Sequence, residues 1–145
     1  MNSKVIILKD DAYEESNVSI TFTLKNICMD EGLKIYYFDV MTRFENQQIE
    51  TELAIFDDEI QRLKDVEFTQ PLTKLYFLEP DISLTVIEVK KDEFCVYVTL
   101  DSGLRMHNIA TESGLSVRLN VAKSSFKQFI NEIASIEAHT SYLNE

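Results

Sequence analysis

The segment from Lys74 to Leu100 constrains the fold of this chain more than any other stretch. It reads KLYFLEPDISLTVIEVKKDEFCVYVTL, so runs of branched and aromatic residues alternate with charged turns. The runs are Leu75–Leu78, Ile82–Val89 and Phe94–Leu100. Sequential strands joined by tight polar turns pair with their neighbours, so the segment predicts an antiparallel meander. The last run is apolar on both phases, which is typical of a strand covered on both faces.

The residues on either side of this meander predict further strands. They are Lys4–Lys9, Val18–Cys28, Leu33–Phe44, Ile49–Phe56 and Leu115–Val121. In Val18–Cys28, apolar residues alternate with polar ones, which is the pattern of a strand with one face on the core. Cys28 continues the apolar phase, interrupted only by Asn26. We therefore expect Cys28 to be a small core residue.

Two segments change to a helical period. Phe56, Ile60 and Leu63 recur at spacings of four and three residues, which places them on one face of a short helix. Asp57 precedes the periodic run and is expected to cap it. The second helix is predicted over Ser125–Glu137, with Ser124 or Ser125 as its cap, and its apolar stripe is Phe126, Phe129, Ile130 and Ile133.

Strands in long consecutive runs with only two helices exclude a doubly wound parallel sheet. The pattern predicts an α+β fold, in which two helices pack on a curved, mostly antiparallel sheet of about seven to eight strands. The chain has 145 residues with three Gly and two Pro, so no flexible linker divides it. We expect one domain over residues 1–145, with residues 139–145 as a frayed tail.

The charge of the chain limits its partners. The formal net charge is −11, which disfavours nucleic-acid backbones and anionic membrane surfaces and favours encounter with a basic protein. No apolar run approaches the ~18 residues of a spanning helix, and Val5–Leu8 is too short for a signal peptide. We expect a cytoplasmic protein. Two distant cysteines, Cys28 and Cys95, do not form a disulfide framework.

No motif for catalysis or for a cofactor is present in the sequence. Three scattered glycines build no phosphate loop, and no Gly-x-Ser-x-Gly occurs. The two histidines, His107 and His139, have no ligand-spaced partners, so neither a metal nor a cofactor is expected. An enzyme would need His107 as a base beside a nucleophile or carboxylate. A solvated His107 is the favoured interpretation, and we expect no enzymatic activity.

Acidic residues concentrate between positions 45 and 67. Two interpretations stay open: a solvated edge that blocks strand-to-strand aggregation, or an acidic docking patch for a basic protein. For the docking interpretation the expected contacts are Glu50, Glu52, Asp57, Asp58 and Glu59.

Three stretches carry a resemblance to a known family. They are TELAIFDDEIQRL, KLYFLEPDISLTV and LSVRLNVAKSSFKQFINEI. With these stretches, residues 5–137 resemble small bacterial immunity proteins of polymorphic toxin systems, in particular the WapI-like family. That family neutralises the toxic C-terminal domain of a cell-wall-associated, contact-dependent toxin.

The resemblance implies a non-enzymatic inhibitor whose partner is a cognate, basic toxin domain. A nuclease is one candidate, since carboxylates would take the place of substrate phosphates in its active site. The alternative is a small-molecule-binding or adaptor module with a pocket between sheet and helices, enclosed by Tyr36, Phe38, Tyr76 and Tyr97. The sequence leaves the oligomeric state open.

Overall fold

The computed structural model describes residues 4–77, 82–100 and 115–136. In these ranges the chain forms eight strands and three helices. The elements in chain order are β1 (Val5–Lys9), α1 (Tyr13–Ser16), β2 (Ser19–Asp30), β3 (Leu33–Phe44), β4 (Gln47–Phe56), α2 (Asp57–Lys64), β5 (Leu72–Tyr76), β6 (Ile82–Lys90), β7 (Glu93–Leu100), β8 (Leu115–Ala122) and α3 (Lys123–Ala134). The α+β class and the meander are confirmed. The short helix α1 falls where the sequence indicated only a polar turn.

The strands form two four-stranded antiparallel sheets rather than one. The N-terminal sheet has the order β1–β2–β3–β4 and the C-terminal sheet the order β5–β6–β7–β8. Each strand pairs with its neighbour in sequence, as expected for hairpin connections. The prediction of a single curved sheet was wrong because β4 and β5 do not pair: α2 and residues 65–71 separate them in the chain.

Hydrogen bonds between Asn120 of β8 and the two residues that follow β1 connect the two sheets. The backbone N–H of Asp11 donates to the Asn120 carbonyl at 2.8 Å. The N–H of Asn120 donates to Oδ1 of Asp10 at 2.7 Å. These bonds bring the end of β1 beside the free edge of β8. We call this contact between the first and the last strand of the described chain the seam.

Both sheets and the two longer helices share one hydrophobic core. Helix α3 connects the two halves of this core, one on each sheet, through two of its phenylalanines. The Phe129 ring meets Phe22 of the N-terminal sheet edge-on, with centroids 5.5 Å apart. The Phe126 ring lies 5.9 Å from Phe94 of the C-terminal sheet and 5.3 Å from Phe68. Edge-to-face pairs of this kind stabilise beyond the area they bury. The apolar stripe predicted for the last helix is therefore confirmed.

The start of α3 differs from the prediction. The helix begins at Lys123, and Ala122 is its N-cap, with no side-chain hydrogen bond to the first turn. Ser124 and Ser125 lie inside the helix, so neither is its cap. The reason is that β8 runs directly into α3, and no polar turn separates them.

The segment Leu104–Glu112, whose sequence has no clear period and predicts a long connection, lies outside the described ranges. So do the candidate base His107 and the expected tail 139–145. Within the described ranges both Cys28 and Cys95 are free thiols, as expected.

Candidate protein-binding surface

The side chains of the N-terminal sheet that point away from the core form an exposed surface, which we call the outer face. The opposite phase supplies buried residues such as Phe22, Phe38 and Leu53. On the outer face Asp39, Glu50 and Glu52 are exposed, and Val5 and Ile7 are 52% and 46% exposed. The face is open around these exposed side chains.

Carboxylates face one another across β3 and β4 of this surface. Asp39 pairs directly with Glu52, and Met41 pairs with Glu50. Two like charges directly opposite each other on a sheet are unfavourable. Here a cation relieves the repulsion: the Lys25 ammonium lies 2.9 Å from Oε1 of Glu52 and 3.5 Å from Oδ1 of Asp39.

The Lys25 ammonium is more basic than a free lysine. The hydrogen bond to Glu52, and then the attraction of Asp39 and of Glu52, raise the pKa of Lys25 above its ordinary value of 10.5. All three side chains are largely exposed, with relative accessibilities of 45% for Lys25, 54% for Asp39 and 75% for Glu52. Water and salt therefore screen the cluster, and its carboxylates remain accessible to a partner.

A β-bulge at Lys25 aims this side chain at the carboxylates. The register passes from Leu24 opposite Phe38 to Asn26 opposite Tyr37, which leaves Lys25 as the extra residue. A bulge of this kind re-aims side chains and shifts the phase of the strand after it. After Lys25, the residues of β2 that point to the core are therefore at odd positions instead of even ones.

The inverted phase overturns the prediction for Cys28. Ile27 lies opposite the buried Tyr36 and packs on the core, whereas Cys28 lies opposite Ile35 on the other phase. Cys28 is half-buried on the outer face and accepts a hydrogen bond from the Asn26 side-chain amide at 3.2 Å. Asn26, which interrupts the alternation in the sequence, was the one signal of the bulge.

A groove of about 300 Å³ lies beside the bulge on the outer face. Glu52 and Lys25 contribute charged side chains to its lining, and Asp39 lies beside it in contact with the Lys25 ammonium. Its lining residues are Lys25, Asn26, Cys28, Tyr37, Phe38 and Glu52. Sequence reasoning named Glu52 as a contact and Phe38 as a residue of a different, internal pocket, but it missed the other members, because strand register brings them together.

The two aspartates at the start of α2 lie apart from this groove. About 16 Å of extended chain separates Glu52 from Asp57. Asp57 is half-buried, and its Oδ1 accepts a hydrogen bond from the Tyr36 hydroxyl at 3.3 Å. Asp58 is exposed and lies 3.9 Å from Arg62, one turn further along the helix. Asp57 is the first residue of α2 and Phe56 is its N-cap, so the prediction of Asp57 as the cap was wrong.

Glu59 does not belong to the exposed surface. It is 4% exposed, and its Oε1 accepts a hydrogen bond from the Phe56 N–H at 3.0 Å. A glutamate at the third helical position commonly satisfies an N–H that the first turn leaves unpaired. Of the five predicted contacts, the structure thus places Glu50 and Glu52 together on the outer face. It places Asp57 and Asp58 at the helix start and Glu59 inside.

Comparisons with known proteins were made at the level of families, curated sequences and solved structures. No family model, curated protein or solved structure matches the chain. In the described ranges no three His, Cys, Asp or Glu side chains are grouped so as to hold a metal ion. None of the helices in those ranges has the length and apolar character needed to cross a bilayer.

Proposed function

We propose that this chain is a non-enzymatic immunity protein that binds and neutralises a cognate, basic toxin domain through the outer face of its N-terminal sheet. The observation that carries the proposal is the exposed row of Asp39, Glu50 and Glu52 on paired strands of the outer face. Summed charge on one face steers a basic partner into contact. A cytoplasmic location belongs to the same proposal.

The positions of the predicted pocket residues favour a binding surface over an internal ligand site. Tyr36 and Phe38 are fully buried, whereas Tyr76 is 58% exposed. The aromatic residues expected to enclose a pocket therefore do not converge. A groove of about 280 Å³ lies between α2 and β5, lined by residues that include Arg62, Leu63 and Tyr76. Small-molecule sites occupy roughly 300–1,000 Å³, so this groove lies at the lower limit for the alternative function.

The experiment first asks whether a gene beside that of this chain encodes a large secreted protein with a variable C-terminal domain, and then uses that domain as the candidate toxin. The purified domain is immobilised, and binding of the full chain is measured at low and at moderate ionic strength. Glu50→Lys is expected to slow association by roughly tenfold at low salt, with a smaller change in dissociation. Glu14→Lys on α1 makes the same change in net charge outside the two strands that carry the acidic row and serves as the matched control.

Two results would contradict the proposal. If the wild-type chain does not bind the neighbouring domain, the immunity function is refuted. If Glu50→Lys and Glu14→Lys slow association equally, net charge alone governs the encounter and the outer face is not the binding surface. Circular dichroism of both variants confirms that each remains folded.

A further inference from the structure

We propose that the groove beside the Lys25 bulge is the anchor site of this surface, and that it takes one arginine or lysine side chain of the partner. The aliphatic stem would lie in the groove and the cationic head between Asp39 and Glu52. The identity of the partner rests on the proposed function, whereas the chemistry of the site rests on the geometry of the groove.

Lys25 shows that Glu52 in the groove and Asp39 beside it hold a cation. Its ammonium contacts both carboxylates, at 2.9 Å and 3.5 Å, while Lys25 itself lines the groove. The carboxylates stay exposed, so they retain acceptor positions towards solvent. A guanidinium fits such a pair well, because its planar fork donates several hydrogen bonds in fixed directions.

The apolar part of the groove suits the stem of the same side chain. Tyr37 and Cys28 lie on the outer face and line it, and Tyr37 is 37% exposed. Long basic side chains bury their methylene stems on apolar surface while the charged head stays in water. An aromatic ring within about 6 Å adds a cation–π attraction. A volume of about 300 Å³ accommodates one side chain and is at the lower end of the roughly 300–1,000 Å³ of cofactor and drug sites.

Lys25 competes with the incoming cation. It repels a second positive charge and uses acceptors of both carboxylates. Lys25→Met keeps most of the aliphatic stem and removes the ammonium, so the variant is expected to bind a guanidinium more tightly than the wild type. The expected gain is about two- to fivefold in affinity, the size of an exposed charge–charge interaction.

The test uses butylguanidinium chloride as the probe and butylurea, its neutral isostere, as the matched ligand control. Backbone ¹H–¹⁵N spectra of the full chain are recorded during each titration. Butylguanidinium should shift the signals of Lys25–Cys28, Tyr37–Asp39 and Glu52 in a saturable way, and butylurea should not. The shifts should be stronger in Lys25→Met and should disappear when Asp39→Asn and Glu52→Gln are added to it. Glu14→Gln with Glu15→Gln removes the same charge elsewhere and should leave them unchanged.

The outcomes separate this inference from the proposed function. Equal shifts with butylurea, shifts spread over all acidic residues, or no gain in Lys25→Met would overturn the anchor site even if the toxin domain binds. If butylguanidinium binds as expected and the toxin domain does not, the cation site stands and the toxin as its occupant is refuted. The spectra also report whether each variant is folded.

Discussion

The carboxylate of Asp10 accepts a hydrogen bond from the backbone N–H of Asn120 at 2.7 Å, across 110 positions of sequence. Its other oxygen accepts from the Ala12 N–H at 2.9 Å and from the Ser16 hydroxyl at 3.2 Å. Asp10 is 8% exposed. A buried carboxylate is tolerated when several donors surround it, and here the three donors join the start of α1 to the seam between the sheets.

Asp10→Ala is therefore expected to lower the free energy of unfolding by about 3 kcal/mol, since bonds to a charged group are lost and buried donors are left unpaired. Urea unfolding followed by circular dichroism measures the change. Asp11 is the matched control: it is exposed, and only its backbone N–H bonds to Asn120. Asp11→Ala should stay within about 0.5 kcal/mol of the wild type. Equal losses in the two variants would show that the Asp10 carboxylate does not hold the seam.

Strand positions were predictable because apolar alternation records which face of a strand is buried. Each strand indicated by the sequence has a counterpart, including Leu115–Ala122 at the seam, although β5 is Leu72–Tyr76 where Leu75–Leu78 was predicted. The division into two sheets was not predictable, because alternation does not state which strand edges pair. The contact between Asp10 and Asn120 depends on the tertiary arrangement. Helix α1, with four residues and none of them buried, has no apolar period to reveal it.

The candidate surface was only partly predictable. Glu50 and Glu52 followed from the polar phase of β4, which the structure confirms as exposed. Glu59 has the same charge but faces inward, because the helix start needs an acceptor for the Phe56 N–H. The contact of Lys25 with Asp39 and Glu52 depends on the register of three strands. Amino-acid composition does not specify this register.

Glu59 is expected to matter for stability and not for binding. Glu59→Ala removes the acceptor of the Phe56 N–H at the start of α2 and should cost about 1–2 kcal/mol of unfolding free energy. Asp58→Ala, next to it and exposed, should change stability by less than about 0.5 kcal/mol. Thermal and urea unfolding measure both. A destabilised Asp58→Ala with an unchanged Glu59→Ala would contradict the assignment of Glu59 as the acceptor at the helix start.

The pKa of Lys25 provides a direct measurement of the outer-face cluster. Because the folded state raises this pKa, the charged form of Lys25 stabilises the folded chain below its ordinary value of 10.5, and this contribution is lost as pH rises through the raised value. The ¹³Cε shift of Lys25, followed over about pH 9 to 12, should titrate above the ordinary value. Glu52→Gln removes the largest cause and should lower the midpoint. A wild-type titration midpoint at the ordinary lysine pKa would mean that the Lys25 ammonium does not contact Asp39 and Glu52 in solution.

Two buried threonines of the N-terminal sheet offer a stabilising change. The hydroxyls of Thr42 and Thr51 are buried with no hydrogen-bond partner among the described residues. Valine has nearly the same shape, so Thr42→Val or Thr51→Val removes an unsatisfied polar group and should raise the unfolding free energy by about 1 kcal/mol.

Thr99 is the matched control for these two threonines, because its hydroxyl lies 2.8 Å from that of Ser116 and is satisfied. Thr99→Val leaves Ser116 without this partner and should lower the unfolding free energy by about 1 kcal/mol. The urea midpoints of Thr42→Val and Thr51→Val should therefore rise, whereas that of Thr99→Val should fall. If Thr42→Val and Thr51→Val lose stability as Thr99→Val does, their hydroxyls have partners in solution, and the inner side of the sheet is more polar than the structure shows.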